Sequence, residues 1–465
     1  QSPSSAASDV YKRQVLAAFD GGEITSDAGI LLLRESDRQL SLSKRMASCF
    51  EDHRTPNRIK HSLSDLLAQR TTAMALGYED LNDHDTLRHD PALRLLSSSE
   101  RDTLAASSTL CRLEHSREAA NPRYNAFVPK LHKLQSLLVD VFLDHHDTPP
   151  ERIILDIDAT DIQAHGHQEG SFFHGYYEHR CFLPLYVFYG PHLLLAQLRP
   201  SDIDAARGAR NVIKRIVSHI RERWPKVQIL LRGDSGFVRE NLMRWCERHN
   251  VDFIFGLARN NYLLTKAQKV RSRAAVEATK TNKPVEMFGH FSHQPKTKSW
   301  SKPRHVVCKV LHKIGVDQRV RFLVTSLDWN SDWVIPHTKD RKPEERDLLP
   351  RVLYQTIYCP RGDMENRIKD CQLDLFGKRA SAHCYRANQL RLLLAGFAYV
   401  LMTHIKLKAL QQTELSQAAP NTIRVKLFKI GARVVNSVRR IKVSMPDAYP
   451  YQSIFFTAWK HLASP

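Results

Sequence analysis

Two carboxylates lie inside an apolar stretch of this sequence, at Asp156 and Asp158 within residues 153–160. Runs of Ile and Leu of this length predict a buried strand. A buried carboxylate is costly unless it is paired, hydrogen-bonded or bound to a metal. Because side chains alternate along a strand, Asp156, Asp158 and Thr160 share one face. We therefore expect this strand to carry the first ligand of a metal site.

A second carboxylate candidate is Asp234, which follows the apolar segment 227–232 and sits next to Gly233. The carboxyl end of a buried strand is where parallel sheets place their active sites. A turn aspartate that only caps the following helix would give the same pattern. Asp234 is thus predicted to be either a second ligand or a helix cap.

A third candidate, Glu365, shares a helical pattern with Tyr358 and Arg361 at positions i, i+3 and i+7. This spacing predicts one helical face, and Lys369 and Gln372 extend it. A carboxylate, cations and a phenol would then line one side of the helix. A surface ladder of salt bridges would look identical.

The order of elements around these residues predicts the fold class. Between residues 151 and 260 the pattern is strand, hairpin, helix, strand, helix, strand, which is typical of a mixed α/β sheet with a parallel core. A helical N-terminal domain is expected before it. Twelve Lys or Arg and only two Glu lie between Asn261 and Lys313, which indicates a small basic β-rich subdomain. A helix is expected from about Leu349 through Ile405, with a break at Cys359–Pro360.

These patterns give the following expected domains. They are a helical DNA-binding domain at 15–149, the core at 150–260, a basic β-rich insertion at 261–345, the last part of the core with Glu365 at 346–410, and a basic C-terminal segment at 411–465. Residues 4–14 match a translated sequencing-library adapter, so residues 1–14 are expected to be non-native.

The composition of the chain indicates its type of binding partner and its cellular compartment. A net charge of +20 over 465 residues points to a polyanion such as nucleic acid. The eight cysteines form no C-x-x-C pair, which indicates a reducing, cytoplasmic compartment and argues against a zinc ribbon. No apolar run reaches about 18 residues. We therefore expect no membrane association.

The combined motifs resemble the DDE transposases of bacterial insertion sequences. The resemblance is closest to the cut-and-paste group, which has an RNase H-like core interrupted by β strands, and it extends over essentially everything after Val15. It rests on Asp158-Ala-Thr160, on Asp234 after a later strand, on Y-x-x-R-x-x-x-E from Tyr358 to Glu365, and on the segments 19–27, 165–177 and 364–370.

The resemblance implies specific roles for these residues. Asp158, Asp234 and Glu365 would hold two Mg²⁺ ions, for which Mn²⁺ can substitute. Asp158 is preferred over Asp156 because it directly precedes the family-like Ala-Thr. The remaining expected roles are DNA contact for Tyr358, Arg361, Lys369 and Arg232, and support of the metal ligands for Asp156 and Thr160.

One position departs from the family pattern. The signature often ends in Lys seven residues after the Glu, whereas this sequence has Gln372 there and its nearest Lys at Lys369. The basic role at that position is therefore open, and Lys369 is the substitute.

The resemblance also implies an activity and partners. The protein would bind terminal inverted repeats, cleave them, and join the freed 3′-OH ends to target DNA as a homodimer or higher oligomer associated with the nucleoid. Two alternatives stay open at this point. One is an RNase H-fold nuclease that cuts without joining, and the other is a catalytically inactive DNA-binding derivative.

Overall fold

The computed structural model describes residues 17–97, 103–115, 126–297, 299–338 and 348–463. The adapter-like residues 1–14 lie outside these ranges, so the prediction about them stays a prediction. The strands, in chain order, are β1 (Ile24–Thr25), β2 (Phe50–Asp52), β3 (Phe127–Pro129), β4 (Arg152–Ala159), β5 (Ile162–Gln163), β6 (Phe172–His174), β7 (His179–Phe182), β8 (Leu185–Tyr189), β9 (His192–Gln197), β10 (Gln228–Gly233), β11 (Val251–Leu257), β12 (Val285–His293), β13 (Arg304–Lys313), β14 (Val316–Thr325), β15 (Ala432–Ser437) and β16 (Arg440–Ser444).

Helices account for most of the remaining described residues. The α-helices are α1 (Ile30–Leu40), α2 (Leu42–Ala47), α3 (Leu63–Leu76), α4 (His84–Leu87), α5 (Ser107–Glu114), α6 (Leu131–Asp144), α7 (Ala209–Arg223), α8 (Glu240–Arg248), α9 (Asn261–Lys266), α10 (Gln268–Thr281), α11 (Ile335–Thr338), α12 (Leu348–Arg351), α13 (Gly362–Lys369), α14 (Tyr385–Ala409), α15 (Pro420–Ile423) and α16 (Gln452–Ala463). Short 3-10 turns occur at Pro56–Arg58, Leu93–Leu96, Ser235–Phe237 and Cys359–Arg361, and π-helical turns at Val352–Tyr358, Asp370–Asp374 and Arg424–Phe428.

An eight-stranded mixed sheet forms the centre of the molecule, in the order β12-β13-β14-β11-β10-β4-β8-β9. Strand β10 runs parallel to both β4 and β11. The other neighbours in the sheet are antiparallel. The predicted α/β class with a parallel core is confirmed, and the predicted hairpin is β8–β9.

The basic segment after residue 261 joins this same sheet. Strand β14 pairs directly with β11, the last strand of the parallel core, and β13 and β12 follow outward. The strands expected in this segment are present. They extend the core sheet, however, and do not form the separate small subdomain that the sequence predicted. The helices α9 and α10, which precede them, were not predicted.

The two faces of β4 meet different layers. Its apolar residues Ile153, Leu155 and Ile157 pack in one core with α7 and α8. Because side chains alternate along a strand, Asp156 and Asp158 point to the opposite face. On that face, β10 and β11 pack against α12 and the π-helical turn that follows it. The carboxylates of β4 and the segment that carries Glu365 therefore lie on the same side of the sheet.

A third core joins the two ends of the chain. It contains residues of α1, α3 and α6 together with α14 and α16, and it also covers the β8–β9 hairpin. The N-terminal helices are thus confirmed as helices, but they share one apolar core with the C-terminal helices.

The longest described helix, α14, is the centre of this shared core. It is long and apolar enough to cross a membrane, yet 83% of its most apolar window is buried inside the protein. Such burial is typical of the central helix of a globular protein.

The helix that the sequence predicted from about Leu349 through Ile405 is interrupted in the structure. Non-helical residues before α14 and irregular turns on both sides of α13 divide it.

Candidate active site

The register between β4 and β10 determines which side chains become neighbours at the site. Arg232 lies directly opposite Asp156, and Gly233 lies opposite Ile157. Residues paired in this way share a face of the sheet. Continuing the register by one residue places Asp234 level with Asp158. Asp158 is the penultimate residue of β4 and Asp234 directly follows β10, so both lie at the carboxyl ends of neighbouring parallel strands, where such sheets place their active sites.

Asp156 forms a closed, buried ion pair with Arg232. The guanidinium donates from Nε to Oδ1 at 2.5 Å and from Nη2 to Oδ2 at 2.8 Å, and its Nη1 donates to the Ile357 carbonyl at 2.5 Å. Both side chains are only 7% exposed. All these donors and both carboxylate oxygens are thus occupied. This placement does not support the predicted DNA contact of Arg232, and it disfavours Asp156 as a metal ligand.

Asp158 lies at the carboxyl end of β4 and contacts the helical segment that carries Arg361 and Glu365. Its Oδ2 accepts a hydrogen bond from Arg361 Nη2 at 2.7 Å, and its Oδ1 accepts one from the Ala159 backbone at 2.9 Å. Burial raises the pKa of Asp158 to about 7, Arg361 opposes this, and the charges of Asp234 and Glu365 add to it. Any positive charge added near this carboxyl group would stabilise its ionised form.

Asp234 fills one of the two roles that the sequence left open, that of a cap, while its role as a metal ligand stays a prediction. Its side chain caps the 3-10 turn Ser235–Phe237 by accepting a hydrogen bond from the Gly236 backbone at 2.9 Å. That bond uses one carboxylate oxygen. The charge of Asp234 also raises the pKa of Asp158, so the two carboxylates are close enough to interact. The cap therefore orients Asp234 at the strand end and leaves its second carboxylate oxygen available to bind a metal ion.

Glu365 reaches the site from α13 through Arg361. The Arg361 guanidinium lies 3.6 Å from Glu365 Oε1, while it also binds Asp158. The Glu365 side chain is 57% exposed, in contrast to the 14% of Asp158. Arg361 is thus placed between two of the three predicted ligands. Within the described part of the chain, no group of three or more His, Cys, Asp or Glu is spaced to hold a metal ion.

Tyr358 enters the site through a gap left by a glycine. A Cβ atom on Gly256 would lie 2.9 Å from the Tyr358 hydroxyl oxygen and 3.1 Å from the Ser235 backbone nitrogen. Burial raises the pKa of Tyr358 to about 12; Arg361 opposes this, and the charges of Asp234 and Asp158 add to it. The phenol is therefore protonated at neutral pH and available as a hydrogen-bond donor. The role of Gly256 was not predicted, because only the register of β11 reveals it.

A second tyrosine, Tyr177, lies close enough to Asp161 and Asp158 for their charges to affect its pKa, and it was not among the predicted site residues. Burial raises its pKa to about 12, with further contributions from Asp161 and Asp158. It belongs to a projecting segment in which Phe173 is 64% and Tyr176 83% exposed. The only sequence signal was the cluster of aromatic residues there.

The remaining predicted residues lie around this centre. Lys369 is exposed at the end of α13, and Gln372 donates to the Asp161 carbonyl at 3.2 Å. Gln372 thus ties the turn after α13 to the segment that follows β4. Thr160 is half-buried, and its backbone nitrogen donates to the Pro184 carbonyl at 3.3 Å. The supporting role expected of the Thr160 side chain stays a prediction.

Comparison with protein families decides the class of this chain. The family model described as transposase DDE domain group 1 matches residues 7–464, nearly the whole length. The chain belongs to this family of DDE transposases. The transposase has no match among characterised proteins. Its family and its α/β fold agree with the resemblance seen in the sequence motifs.

Proposed function

We propose that this transposase binds the terminal inverted repeats of an insertion sequence, cleaves phosphodiester bonds there, and transfers the 3′-OH ends to target DNA. One observation carries the proposal. Asp158 and Asp234 stand level at the carboxyl edge of the parallel strands, and Arg361 connects Asp158 to Glu365. The family assignment supports the general class of reaction.

The chemistry of the carboxylates fits a hard divalent cation. Asp158, Asp234 and Glu365 offer only oxygen atoms, which suit Mg²⁺ better than softer metals. Burial and neighbouring carboxylates raise the pKa of Asp158, so a cation bound beside this group would stabilise its ionised form. We infer that these residues would hold two Mg²⁺ ions, or Mn²⁺ in their place. When bound, such ions would supply Lewis-acid activation of a hydroxyl nucleophile and positive charge beside the phosphate.

The neighbouring side chains would orient the substrate. The planar guanidinium of Arg361 is suited to bidentate contact with a phosphate group. The protonated Tyr358 phenol would donate a hydrogen bond to a phosphate oxygen, and the exposed Lys369 would contribute a point charge. The ion pair of Asp156 and Arg232 would act indirectly by fixing β4 against β10.

The partners follow from the same proposal. The net charge of +20 favours association with duplex DNA through its phosphates. Two transposon ends must be brought together before they are joined, which favours a homodimer or higher oligomer on DNA. A cytoplasmic location, in contact with the nucleoid, is part of the proposal.

The decisive experiment uses a plasmid that carries this gene with its flanking DNA, so that both terminal repeats are present. We expect nicking and joined products with Mg²⁺, and loss of both by about 10³-fold in Asp158→Asn, Asp234→Asn and Glu365→Gln. The exposed Asp317→Asn and Glu222→Gln serve as charge-matched controls. Full activity in all three site variants would refute the assignment. Cleavage without any joined product would identify a nuclease, and binding without cleavage would identify an inactive derivative.

A further inference from the structure

A two-stranded ribbon near the C-terminal end of the chain is not used by the proposed active site. It consists of β15 and β16, which are antiparallel and connected by the two-residue turn at Val438 and Arg439. Strand β1 pairs with the far side of β15, so β16 is the edge of this small sheet.

The register divides the ribbon into two different faces. Val434 lies opposite Val443, and both pack on the core shared by the two ends of the chain. The other face is formed by pairs that are all exposed to solvent. These pairs are Arg433 with Ser444, Val435 with Lys442, and Ser437 with Arg440.

The charge of the outward face is entirely positive. No Asp or Glu occurs between Glu414 and Asp447. In the part of the chain that the structure describes, Arg433, Arg439, Arg440 and Lys442 take part in none of the ion pairs. Glu23, whose backbone pairs with β15, binds Arg94 at 2.6 Å.

Basic residues just before the ribbon behave differently. Lys429 binds Asp27 at 2.6 Å, Lys426 lies 3.6 Å from Glu414, and Arg424 is buried and donates to the Ala75 carbonyl at 2.8 Å. The fold thus satisfies the cations upstream of the ribbon and leaves those on its outward face to solvent. This contrast distinguishes the ribbon from a generally basic surface.

Apolar side chains at the end of the ribbon are also exposed. Val438 in the turn is fully exposed, and Val435 and Ile441 are 45% and 49% exposed. Exposed aliphatic groups beside cations suit a surface that contacts both phosphates and base edges, where a thymine methyl group offers an apolar partner.

We propose that the β15–β16 ribbon enters the major groove of the DNA on which the transposase acts, and that Arg440 and Lys442 contact its phosphates. The proposal rests on the proposed function, because it assumes duplex DNA as the substrate. The major groove is about 12 Å wide and admits a two-stranded ribbon. Strands of five or six residues span about 17 to 20 Å, enough to follow the groove for roughly half a turn. Cations on the edge strand β16 disfavour its pairing with another protein strand.

The test measures DNA binding by the full-length chain in EDTA, which prevents cleavage. The probe is a fluorescent 30-base-pair duplex of mixed sequence, titrated between about 50 and 300 mM salt. Arg440→Gln/Lys442→Gln is compared with Lys214→Gln/Lys226→Gln, which removes the same charge from exposed positions elsewhere. We expect the ribbon variant to bind at least about tenfold more weakly at 0.1 M salt, and its logarithmic salt slope to fall by about 1.8. The control should match the wild type.

The groove is tested with small competitors on the same duplex. Methyl green, which occupies the major groove, should weaken wild-type binding more than binding by the ribbon variant. Netropsin, which occupies the minor groove, should affect both proteins equally. The opposite pattern would overturn the major-groove assignment.

The outcomes separate this inference from the proposed function. If the wild type binds no duplex DNA, the proposed function fails. If the wild type binds and the ribbon variant matches it in affinity and salt slope, only the ribbon assignment is overturned. A change in oligomer mass by light scattering, with unchanged DNA binding, would overturn it in favour of pairing between copies of this chain. Melting temperatures equal to that of the wild type exclude misfolding as the cause of a loss.

Discussion

Strand β4 carries two aspartates, Asp156 and Asp158, that each form an ion pair with an arginine from another element. The two ion pairs differ in solvent exposure and in the number of hydrogen bonds that join them. Asp156 and Arg232 are 7% exposed and are joined by two hydrogen bonds. Asp158 and Arg361 are 14% and 13% exposed and share one hydrogen bond of 2.7 Å. The guanidinium of the second pair also lies near Glu365. The same chemistry thus gives a fully paired ion pair inside the sheet and, at its edge, a pair whose guanidinium is shared with Glu365.

The largest effect is expected from breaking the closed pair. Arg232→Ala would leave the Asp156 carboxylate buried without its partner, which should lower the free energy of unfolding by about 3 to 5 kcal/mol. Arg361→Ala should lower it less, by about 1.5 to 3 kcal/mol, because this pair shares only one charge-assisted hydrogen bond. Chemical denaturation of both variants measures the difference. The double variant Asp156→Leu/Arg232→Met should recover most of the loss. Equal destabilisation by the two single variants would remove the distinction between the pairs.

For the rate of DNA cleavage we expect the opposite order, with a larger effect of substitution at Arg361 than at Arg232. We expect Arg361→Ala to lower the rate of end cleavage by about 10²-fold, equivalent to about 2.7 kcal/mol, because in our proposal the guanidinium orients a phosphate. Arg361→Lys should recover part of the rate, since it keeps the charge and loses the planar fork. Single-turnover assays on end-bearing DNA measure this effect. A wild-type rate in Arg361→Ala would show that the open pair has no role in the reaction.

A smaller effect concerns the pH dependence of stability. Burial and nearby carboxylates raise the pKa of Asp158 from 3.8 to about 7. Between these values the folded state holds a proton that the unfolded state has lost, so ionisation of Asp158 destabilises the wild type as pH rises. Asp158→Asn removes the group. We therefore expect its stability relative to the wild type to increase by about 2 kcal/mol between pH 5.5 and pH 8 in EDTA. A difference that does not change with pH would contradict the raised pKa.

The sequence predicted the parts of the site that local patterns determine. The apolar segments that became β4, β10 and β11 are strong strand signals, and Asp158 and Asp234 lie at the carboxyl ends of the first two. The pairing of Asp156 with Arg232 was not predictable, because it depends on the register between two strands that are far apart in the chain. Arg232 was therefore predicted to contact DNA, whereas the structure buries its side chain against Asp156.

Two other features depend on tertiary contacts in the same way. The basic β-rich segment 261–345 was predicted to be a separate unit, since nothing local indicates that β14 pairs with β11. The close approach of Tyr358 to Gly256 likewise requires both elements in place. Individual strands and helices could be predicted from periodicity. Which of them share a sheet or a core could not.

The π-helical turn at Val352–Tyr358 has a consequence for chain length in this region. An α-helix advances by about 100° per residue, and a π-turn accommodates one residue more per turn than an α-helix would. Deleting one residue from this turn would restore regular α-helical winding and leave Glu365 facing nearly the same side of the sheet. Deleting Asp363 from α13 itself would instead rotate Glu365 by roughly 100° about the helix axis, away from Asp158. The π-helical turn should therefore tolerate the loss of one residue better than α13 does, which the cleavage rates of the two deletion variants measure.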